Sequence, residues 1–304
     1  YFGLLDGDNM VDIGIGRLVV SSSEQARTAV DKIIHYATNT EEVMNDWRNV
    51  VGLVADDEDQ NLHFGDSEEI ANQISSLNKN INIDKIYLDA YTQESTPSGE
   101  EYPKANEDIT NRVNRGALIM NYVGHGGELG LAHERVVKIA DINGWDNYDN
   151  MPVFLTATCE FSRFDDPERV SAGELVFLNE NGGGIALFTT TRATYAGGNA
   201  SLNKNFFDFT LKETDGKHLR MGDVIRLAKN ATGTNDNTRK FVLLGDPALN
   251  FAFPEHHIVT AKINDVSILE SLDTLKALSE VIISGEMQDY LGNKLTGFNG
   301  FLFP

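Results

Sequence analysis

The chain has 304 residues, of which 41% are hydrophobic and 23% are charged, proportions typical of a globular protein with a sizeable core. Its formal net charge of -21 at pH 7 argues against nucleic acid or an anionic membrane surface as a partner, because binding to either is driven by clustered Lys and Arg. A single cysteine excludes an internal disulfide and a cysteine-based zinc site.

In the first part of the chain, predicted helices alternate with predicted strands. The spacing of apolar residues predicts helices over 22–50, 67–79 and 105–116. Buried strands are predicted at VVGLVA (50–55), which ends in the acidic run DDEDQ, and at IDKIYLDA (83–90). The Pro and Gly residues of TQESTPSGEEYPKAN (92–106) predict a polar loop.

Three strongly apolar strands follow, and each ends in polar or glycine residues. They are ALIMNYVGHGG (117–127), MPVFLTATCE (151–160) and GGGIALFTTTRATYAGG (182–198). Helices are predicted at AGELVFLNEN and SLNKNFFDFTLKE, and a last strand at RKFVLLGDPALNFAFP. Near-continuous apolar strands that alternate with helices predict an α/β fold, with a mainly parallel sheet flanked by helices on both faces.

The character of the sequence changes after Pro254, where long helical patterns stop. Short strands with turn residues are predicted at HHIVTAKINDVSILE, SEVIISGEMQD and NKLTGFNGFLFP. We therefore assign 1–254 to one domain and 255–304 to the start of an antiparallel β-sandwich. Because such a sandwich needs about 100 residues, we expect the second domain to be truncated at Pro304.

His125 and Cys159 each follow an apolar predicted strand, so both would open onto the carboxyl edge of a parallel sheet, where ligands bind. There a thiolate can attack a carbonyl carbon while an imidazole carries a proton to the leaving amine. The backbone N–H groups of Gly126 and Cys159 are candidate donors to the oxyanion, since the glycines beside His125 let the backbone approach a substrate. The structural alternatives are a buried cysteine and a histidine in a glycine turn.

Six motifs occur in a fixed order along the chain: DIGIGRL, VADDEDQ, NYVGHGG, TATCEFSRFDDP, NGGGIALFTTTRATYA and LLGDPALNFAFP. Together they resemble the gingipain family of caspase-like cysteine peptidases over nearly the whole chain. Within that family, the resemblance is to the surface sortases of the type IX secretion system. It implies a caspase-like α/β sheet, at least one strand upstream of Tyr1, and a following immunoglobulin-like β-sandwich.

The resemblance also assigns residues. The family's catalytic histidine falls on His125 and its nucleophile on Cys159. Family members place acidic residues where Asp56 and Asp57 end a strand, so either could orient His125; the alternatives are a solvated turn or a cation site. Because gingipains bind structural calcium, a calcium site near Asp56, Asp57 and Asp59 is a further interpretation, although no cofactor is required for the reaction.

A second group of residues concerns the substrate. Caspase-like enzymes pair with the substrate backbone at the position of TTTRATYA, so Thr191, Arg192 and Ala193 are expected to form that wall, unless they are only a strand end. Gingipain specificity for Arg or Lys depends on an acid in the pocket, for which Asp165 and Asp166 are candidates. The alternative is that these two acids shape a turn.

The resemblance implies an activity and a location. The expected reaction removes C-terminal sorting domains from secreted proteins through a thioester on Cys159 and transfers the acyl group to a lipopolysaccharide-linked amine. Other type IX secretion components are the expected partners, and the extracellular face of the outer membrane of a Bacteroidetes-type bacterium is the expected location. The alternatives are a gingipain-like endopeptidase that uses water as acceptor, and a non-catalytic secretion scaffold.

Overall fold

The computed structural model describes residues 3–97, 99–213, 216–254, 256–270, 274–289 and 291–299. The chain divides into two compact units, Tyr1–Ala252 and Phe253–Pro304. The candidate site lies in the first unit.

The first unit alternates strands and helices. Its strands are β1 (Val50–Ala55), β2 (Asn82–Tyr87), β3 (Glu94–Thr96), β4 (Gly99–Glu101), β5 (Ile119–Val123), β6 (Gly126–Gly127), β7 (Gly130–Leu131), β8 (Val137–Lys138), β9 (Val153–Ala157), β10 (Ala186–Thr190) and β11 (Phe241–Leu244). Its α-helices are α1 (Ser23–Ala37), α2 (Leu62–Leu77), α3 (Pro103–Arg115), α4 (Ile139–Gly144), α5 (Ala172–Leu178), α6 (Ala196–Leu211), α7 (Met221–Thr232) and α8 (Asp236–Arg239). Two 3-10 helices span Asp46–Asn49 and Leu88–Ala90.

Six strands form the central sheet in the order β11-β10-β9-β5-β1-β2. All neighbours are parallel except β10 and β11, which are antiparallel. The chain leaves β1 first toward β2 and then returns to the other side of β1 to form β5. The order of strands therefore reverses between β1 and β5, and ligands bind outside the carboxyl ends of parallel strands at such a point.

Helices cover both faces of this sheet, because successive side chains of a strand point to opposite faces. On one face, α1, α3, α4 and α5 pack with the apolar side chains of Val54, Met120, Tyr122, Phe154 and Leu187. On the other face, α6 packs on β5, β9 and β10: Asn203 and Asn121 exchange hydrogen bonds, and the rings of Phe206 and Phe188 stack at 5.6 Å. Both faces of the strands are buried, which explains their near-continuous apolar sequences.

Some elements differ from their predicted bounds. The helix predicted over 22–50 ends at Ala37, where Thr38 turns extended, and its N-cap is Ser22, whose hydroxyl accepts the N–H of Gln25. The predicted loop over 92–106 contains the β3–β4 hairpin and the start of α3, whose first residue is Pro103. Proline suits that position, because the first helical N–H has no partner within the helix. Helices α4, α7 and α8 were not predicted.

A buried lysine connects α1 to the end of α5. The Nζ atom of Lys32 donates to the carbonyl oxygens of Phe177, Asn179, Gly182 and Gly184 at 2.7, 3.1, 2.6 and 3.3 Å. Burial lowers the pKa of Lys32 to about 7. The four carbonyl dipoles therefore offset only part of the cost of burying this charge.

The second unit contains a three-stranded antiparallel sheet in the order β13-β12-β14. Its strands are β12 (His257–Ile263), β13 (Val266–Ser267) and β14 (Ile283–Gln288). The strand predicted over 293–304 shows only an isolated bridge, between Lys294 and Gln288, and residues 300–304 lie outside the described residues. In neither unit, across the residues described, is there a helix with the length and apolar character to span a bilayer.

Candidate active site

His125 and Cys159 lie at the same edge of the central sheet. Strands β5 and β9 pair in parallel, with Val123 opposite Ala157, and each candidate residue comes two positions after its strand's last paired residue. Both are partly exposed, so solvent and a substrate can reach them. His125 and Cys159 therefore lie at the same height above the carboxyl ends of two neighbouring strands. In the described part of the chain, no hydrogen bond joins their side chains.

The thiol of Cys159 contacts Thr194, which follows β10. The Thr194 N–H donates to Sγ at 3.3 Å, and the thiol donates to the Thr194 carbonyl oxygen at 3.5 Å. Glu160 has a φ of +52°, a left-handed conformation that is unfavourable for residues other than glycine. This turn directs the chain away immediately after Cys159, so the cysteine stays at the rim instead of continuing the strand.

The imidazole of His125 lies among acidic residues and other histidines. Its Nε2 atom is 3.1 Å from Asp59 Oδ2 and 3.9 Å from Glu58 Oε2. The ring of His133 stacks on it at 4.9 Å, and the ring of His63 meets it edge-on at 5.4 Å. The carboxylate at the His125 ring is thus Asp59, instead of the predicted Asp56 or Asp57.

Asp56 holds the backbone of the segment that carries His125, residues 124–129 between β5 and β7, which we call the histidine loop. Its Oδ2 atom accepts the His125 N–H at 2.8 Å and the Tyr122 hydroxyl at 3.3 Å, while Oδ1 accepts the Asp57 N–H. The side chain is fully buried, and this desolvation raises its pKa. Asp56 therefore fixes the position of the His125 main chain, and the adjacent Asp57 accepts the Tyr102 hydroxyl at 2.6 Å.

Three carboxylates converge beneath this loop. One oxygen from each of Asp56, Asp57 and Glu134 lies within 4.8 Å of the others. Asp57 Oδ1 and Glu134 Oε2 are buried and have no hydrogen-bond partner in the described part of the chain. Burial, followed by the charges of the nearby acids, raises the pKa of Glu134. The cluster is thus rich in oxygen ligands and short of positive charge.

Gly126 lies close to the segment that carries Cys159, residues 158–171 between β9 and α5, which we call the cysteine loop. A Cβ atom on Gly126 would be 2.7 Å from Thr158 Oγ1, so the histidine loop approaches the residue before Cys159 as only glycine allows. The Ala132 N–H donates to the His125 carbonyl, while the His125 N–H donates to Asp56. The His125 carbonyl and the Gly126 N–H belong to one trans peptide plane and point to opposite sides, so the Gly126 N–H points away from β7.

The predicted substrate wall lies at the end of β10. The Thr191 N–H donates to the Lys240 carbonyl, and the Ala193 carbonyl accepts Lys240 Nζ at 2.8 Å. Arg192 makes a two-point ion pair with Asp165 at 2.9 and 2.6 Å. This pair lowers the pKa of Asp165, so that carboxylate is already neutralised by a partner.

A cavity of about 460 Å³ opens beside the two loops. Gly126 and Gly127 line it from the histidine loop, and Glu160 and Asp166 from the cysteine loop. Glu128 joins the loops: it pairs with Arg163 at 2.6 Å and with Arg169 at 3.4 Å. Its backbone carbonyl also accepts the N–H of Ala172, the first residue of α5.

The structure adds four residues whose contacts with the site the sequence did not predict: Asp59, His63, Glu134 and Thr194. Asp59 precedes α2 and His63 lies in its first turn, four residues later, a spacing visible in DDEDQNLH. Thr194 directly follows the predicted wall. Glu134 carried no local signal, because its partners Asp56 and Asp57 are far away in sequence.

Residues 1–252 match the model of peptidase family C25. A search of curated proteins finds no significant match.

Solved structures share the fold. The Arg-specific cysteine proteinase gingipain R (RgpB) matches with a TM-score of 0.70 and 18% identity, over 85% of this chain and 61% of its own. The complex of Porphyromonas gingivalis RgpB pro- and mature domains matches with a TM-score of 0.68 and 17% identity, over 84% of this chain and 61% of its own. These matches confirm the predicted caspase-like α/β fold; the immunoglobulin-like nature of the second unit stays a prediction.

This chain thus spans about three fifths of the gingipain chains that it matches. Dimeric latent PorU from Porphyromonas gingivalis aligns over 96% of this chain and 23% of its own, at 21% identity. Its TM-score of 0.36 is too low to establish a shared fold.

Proposed function

The chain belongs to peptidase family C25, and we propose that it is a cysteine peptidase in which Cys159 is the nucleophile and His125 carries the proton. The observation that carries this proposal is the pairing of β5 with β9, which brings the thiol and the imidazole to one level of one sheet edge. The direct hydrogen bond that the chemistry needs forms in many such enzymes only when substrate is bound.

In the proposed reaction, His125 takes the thiol proton of Cys159, and the sulfur attacks the carbonyl carbon of a peptide bond. The N–H groups of Gly126 and Cys159 donate to the oxyanion of the tetrahedral intermediate. His125 then protonates the leaving amine, the C–N bond breaks, and the acyl group stays on Cys159 as a thioester. Because Nε2 of His125 is turned to Asp59, Nδ1 is the nitrogen that exchanges these protons.

The second half of the proposed reaction passes the acyl group to an amine, as in a sortase. The support is the resemblance of TATCEFSRFDDPERVSAGE, TTTR and DTLKALSEVIISGE to PorU, the surface sortase of the type IX secretion system. On this proposal, the substrates are secreted proteins that lose a C-terminal sorting domain, and the acceptor is a lipopolysaccharide-linked amine. The protein then works with other type IX secretion components at the bacterial outer surface.

Hydrolysis is the second candidate activity, because a gingipain-like endopeptidase forms the same thioester and differs only in using water as the acceptor. The presence of both His125 and Cys159 disfavours the third interpretation, a non-catalytic scaffold. For the substrate wall, the proposal keeps Thr191, Arg192 and Ala193 and adds Thr194, whose backbone contacts the thiol.

Calcium is proposed as a structural ion at Asp56, Asp57 and Glu134. These carboxylates fit it, because calcium takes oxygen ligands only and two of their buried oxygens have no hydrogen bond among the described residues. When bound, calcium supplies the positive charge that the cluster lacks. Asp59, which was also predicted near calcium, contacts His125 and His63 instead.

The test uses the full-length protein and a purified secreted protein that carries a C-terminal sorting domain. With substrate alone, mass spectrometry should detect an acyl adduct on Cys159, and with an added amine donor, an amine-linked product. Cys159→Ala should form neither, and His125→Ala should form both more slowly. Products that persist in Cys159→Ala would overturn the proposed nucleophile. If the cleaved protein carries only a free C-terminal carboxylate although the amine donor is present, water is the acceptor and the protein is an endopeptidase.

A further inference from the structure

A cluster of nitrogen and oxygen ligands lies beside the cysteine site. One ligand atom from each of Asp59, His63 and His125 lies within 4.8 Å of the others. Two imidazoles with one carboxylate are a ligand set that suits divalent transition-metal ions, in contrast to the oxygen-only cluster of Asp56, Asp57 and Glu134. The two clusters are therefore different in chemistry, although each takes two of its three residues from the segment after strand β1.

Two distances within this cluster are close to those between the ligands of a small tetrahedral ion. Asp59 Oδ2 lies 3.1 Å from His125 Nε2 and 3.3 Å from His63 Nε2. Zinc binds nitrogen and oxygen ligands at about 2.0–2.2 Å, so two ligands of one tetrahedral zinc are about 3.3–3.5 Å apart.

The state of His63 is an independent sign that a ligand belongs here. The residue is only 4% exposed, and neither ring nitrogen makes a hydrogen bond within the part of the chain that the structure describes. Buried polar groups normally have a hydrogen-bond partner, and an imidazole without one at this depth is unusual. Its Nε2 atom faces the carboxylate of Asp59, which is itself half-exposed and open to solvent.

We infer that Asp59, His63 and His125 form a site for a divalent transition-metal ion, of which Zn²⁺ is the test case. The fourth position of a tetrahedral ion is left for water. When a metal occupies Nε2 of His125, the remaining ring proton sits on Nδ1. Nδ1 then cannot accept the thiol proton of Cys159, so metal binding holds the enzyme inactive. This regulatory consequence rests on the proposed function, while the site itself does not.

The main competing explanation for zinc binding is the thiol, since thiolates are strong zinc ligands. We therefore place the test in the Cys159→Ala protein, which has neither a thiol nor peptidase activity. Zn²⁺ is titrated into this full-length protein by calorimetry, with Ca²⁺ present to fill any oxygen-only site. The expected result is one Zn²⁺ per chain, with Mg²⁺ giving no competing signal.

Two further variants locate the ion. His63→Gln, made in the Cys159→Ala protein, should weaken Zn²⁺ binding ~10-fold or more, as expected for loss of one ligand. His35→Gln is the matched control, because His35 also pairs with an aspartate, Asp149 at 2.7 Å, but outside this cluster; it should leave the affinity unchanged. If His63→Gln does not fold, Asp59→Asn replaces it with the same expected loss.

Two outcomes would overturn the site: no Zn²⁺ binding in the Cys159→Ala protein, or equal affinity in the His63→Gln and parent proteins. In the wild type, Zn²⁺ should inhibit turnover, and a chelator followed by excess Ca²⁺ should restore it. A chain that binds Zn²⁺ as expected but has no peptidase activity would refute the proposed function, while the metal site would still be supported. A chain with activity that Zn²⁺ does not affect would refute the regulatory consequence alone.

Discussion

Asp59 Oδ2 lies 3.1 Å from Nε2 of His125, although Asp59 itself stands four residues beyond the end of strand β1. The side chain reaches the ring because the backbone reverses over Asp59, Gln60 and Asn61, which have φ values of +58°, +58° and +65°. Three consecutive left-handed residues other than glycine are costly, and such conformations cluster at functional sites. We take Asp59 to be a positioning residue that holds the orientation of His125.

Asp59→Asn should therefore lower kcat about 10- to 100-fold, since general acid–base catalysis contributes about 10²–10⁴-fold and only its alignment is lost. KM should stay nearly unchanged, because Asp59 is not part of the substrate wall. Steady-state kinetics measure both constants. Glu58→Gln is the control, as Glu58 is 3.9 Å from the same nitrogen and bonds His133 instead; a larger loss in this control would assign the role to Glu58.

Gly126→Ala should disturb the proposed oxyanion site. The new methyl group would lie 2.7 Å from Thr158 Oγ1 and so push the histidine loop away from the cysteine loop. We expect kcat to fall about 10²-fold, the typical effect of losing one oxyanion donor. Gly127→Ala is the matched control, because its added Cβ meets nothing within 4 Å. Equal activity of the two variants would show that Gly126 has no such role.

Calcium should stabilise the first unit through the carboxylates of Asp56, Asp57 and Glu134. An ion that binds only the folded chain adds about 2.7 kcal/mol to the free energy of unfolding at 100 times its Kd. Thermal unfolding with and without calcium measures this gain, which Glu134→Gln should greatly reduce. Glu100→Gln, on the exposed β3–β4 hairpin, should keep the full gain. A melting temperature that calcium does not change would argue against the site.

Lys32→Met should destabilise the first unit by about 1–3 kcal/mol near pH 6, because buried carbonyl oxygens lose their donor. Above pH 7 the folded protein gives up the Lys32 proton, while the unfolded chain keeps it up to the ordinary pKa of 10.5. The unfolded state then binds more protons, so the free energy of unfolding of the wild type rises with pH between these values, by at most about 1.4 kcal/mol per unit.

The variant lacks this group, so the difference in stability between the wild type and Lys32→Met should widen as the pH rises above 7. Urea unfolding of both proteins at several pH values measures the difference. Lys79→Met, at an exposed position, controls for the loss of one positive charge. A difference that stays constant across this range would contradict the assigned origin of the effect.

The strand ends that carry His125 and Cys159 could be predicted because they depend on local sequence: fully buried parallel strands read as apolar runs, and the chemistry follows where each run stops. The contact of Asp59 with the His125 ring could not, because it depends on backbone angles that residues other than glycine seldom adopt. Glu134 and Thr194 were missed for another reason. Their neighbours in space come from distant parts of the chain, and a single sequence carries no signal for such pairs.

The ion pairs of Glu128 with Arg163 and Arg169 have a consequence for protein engineering. Glu128 comes from the histidine loop, and both arginines come from the cysteine loop. The negative charge of one loop is therefore neutralised by the positive charges of the other. A chimera that received only the cysteine loop of a relative would remove the two arginines that pair with Glu128. Because the Glu128 side chain is only 12% exposed, water could not replace them well. Exchanges of specificity between family members should therefore move both loops together.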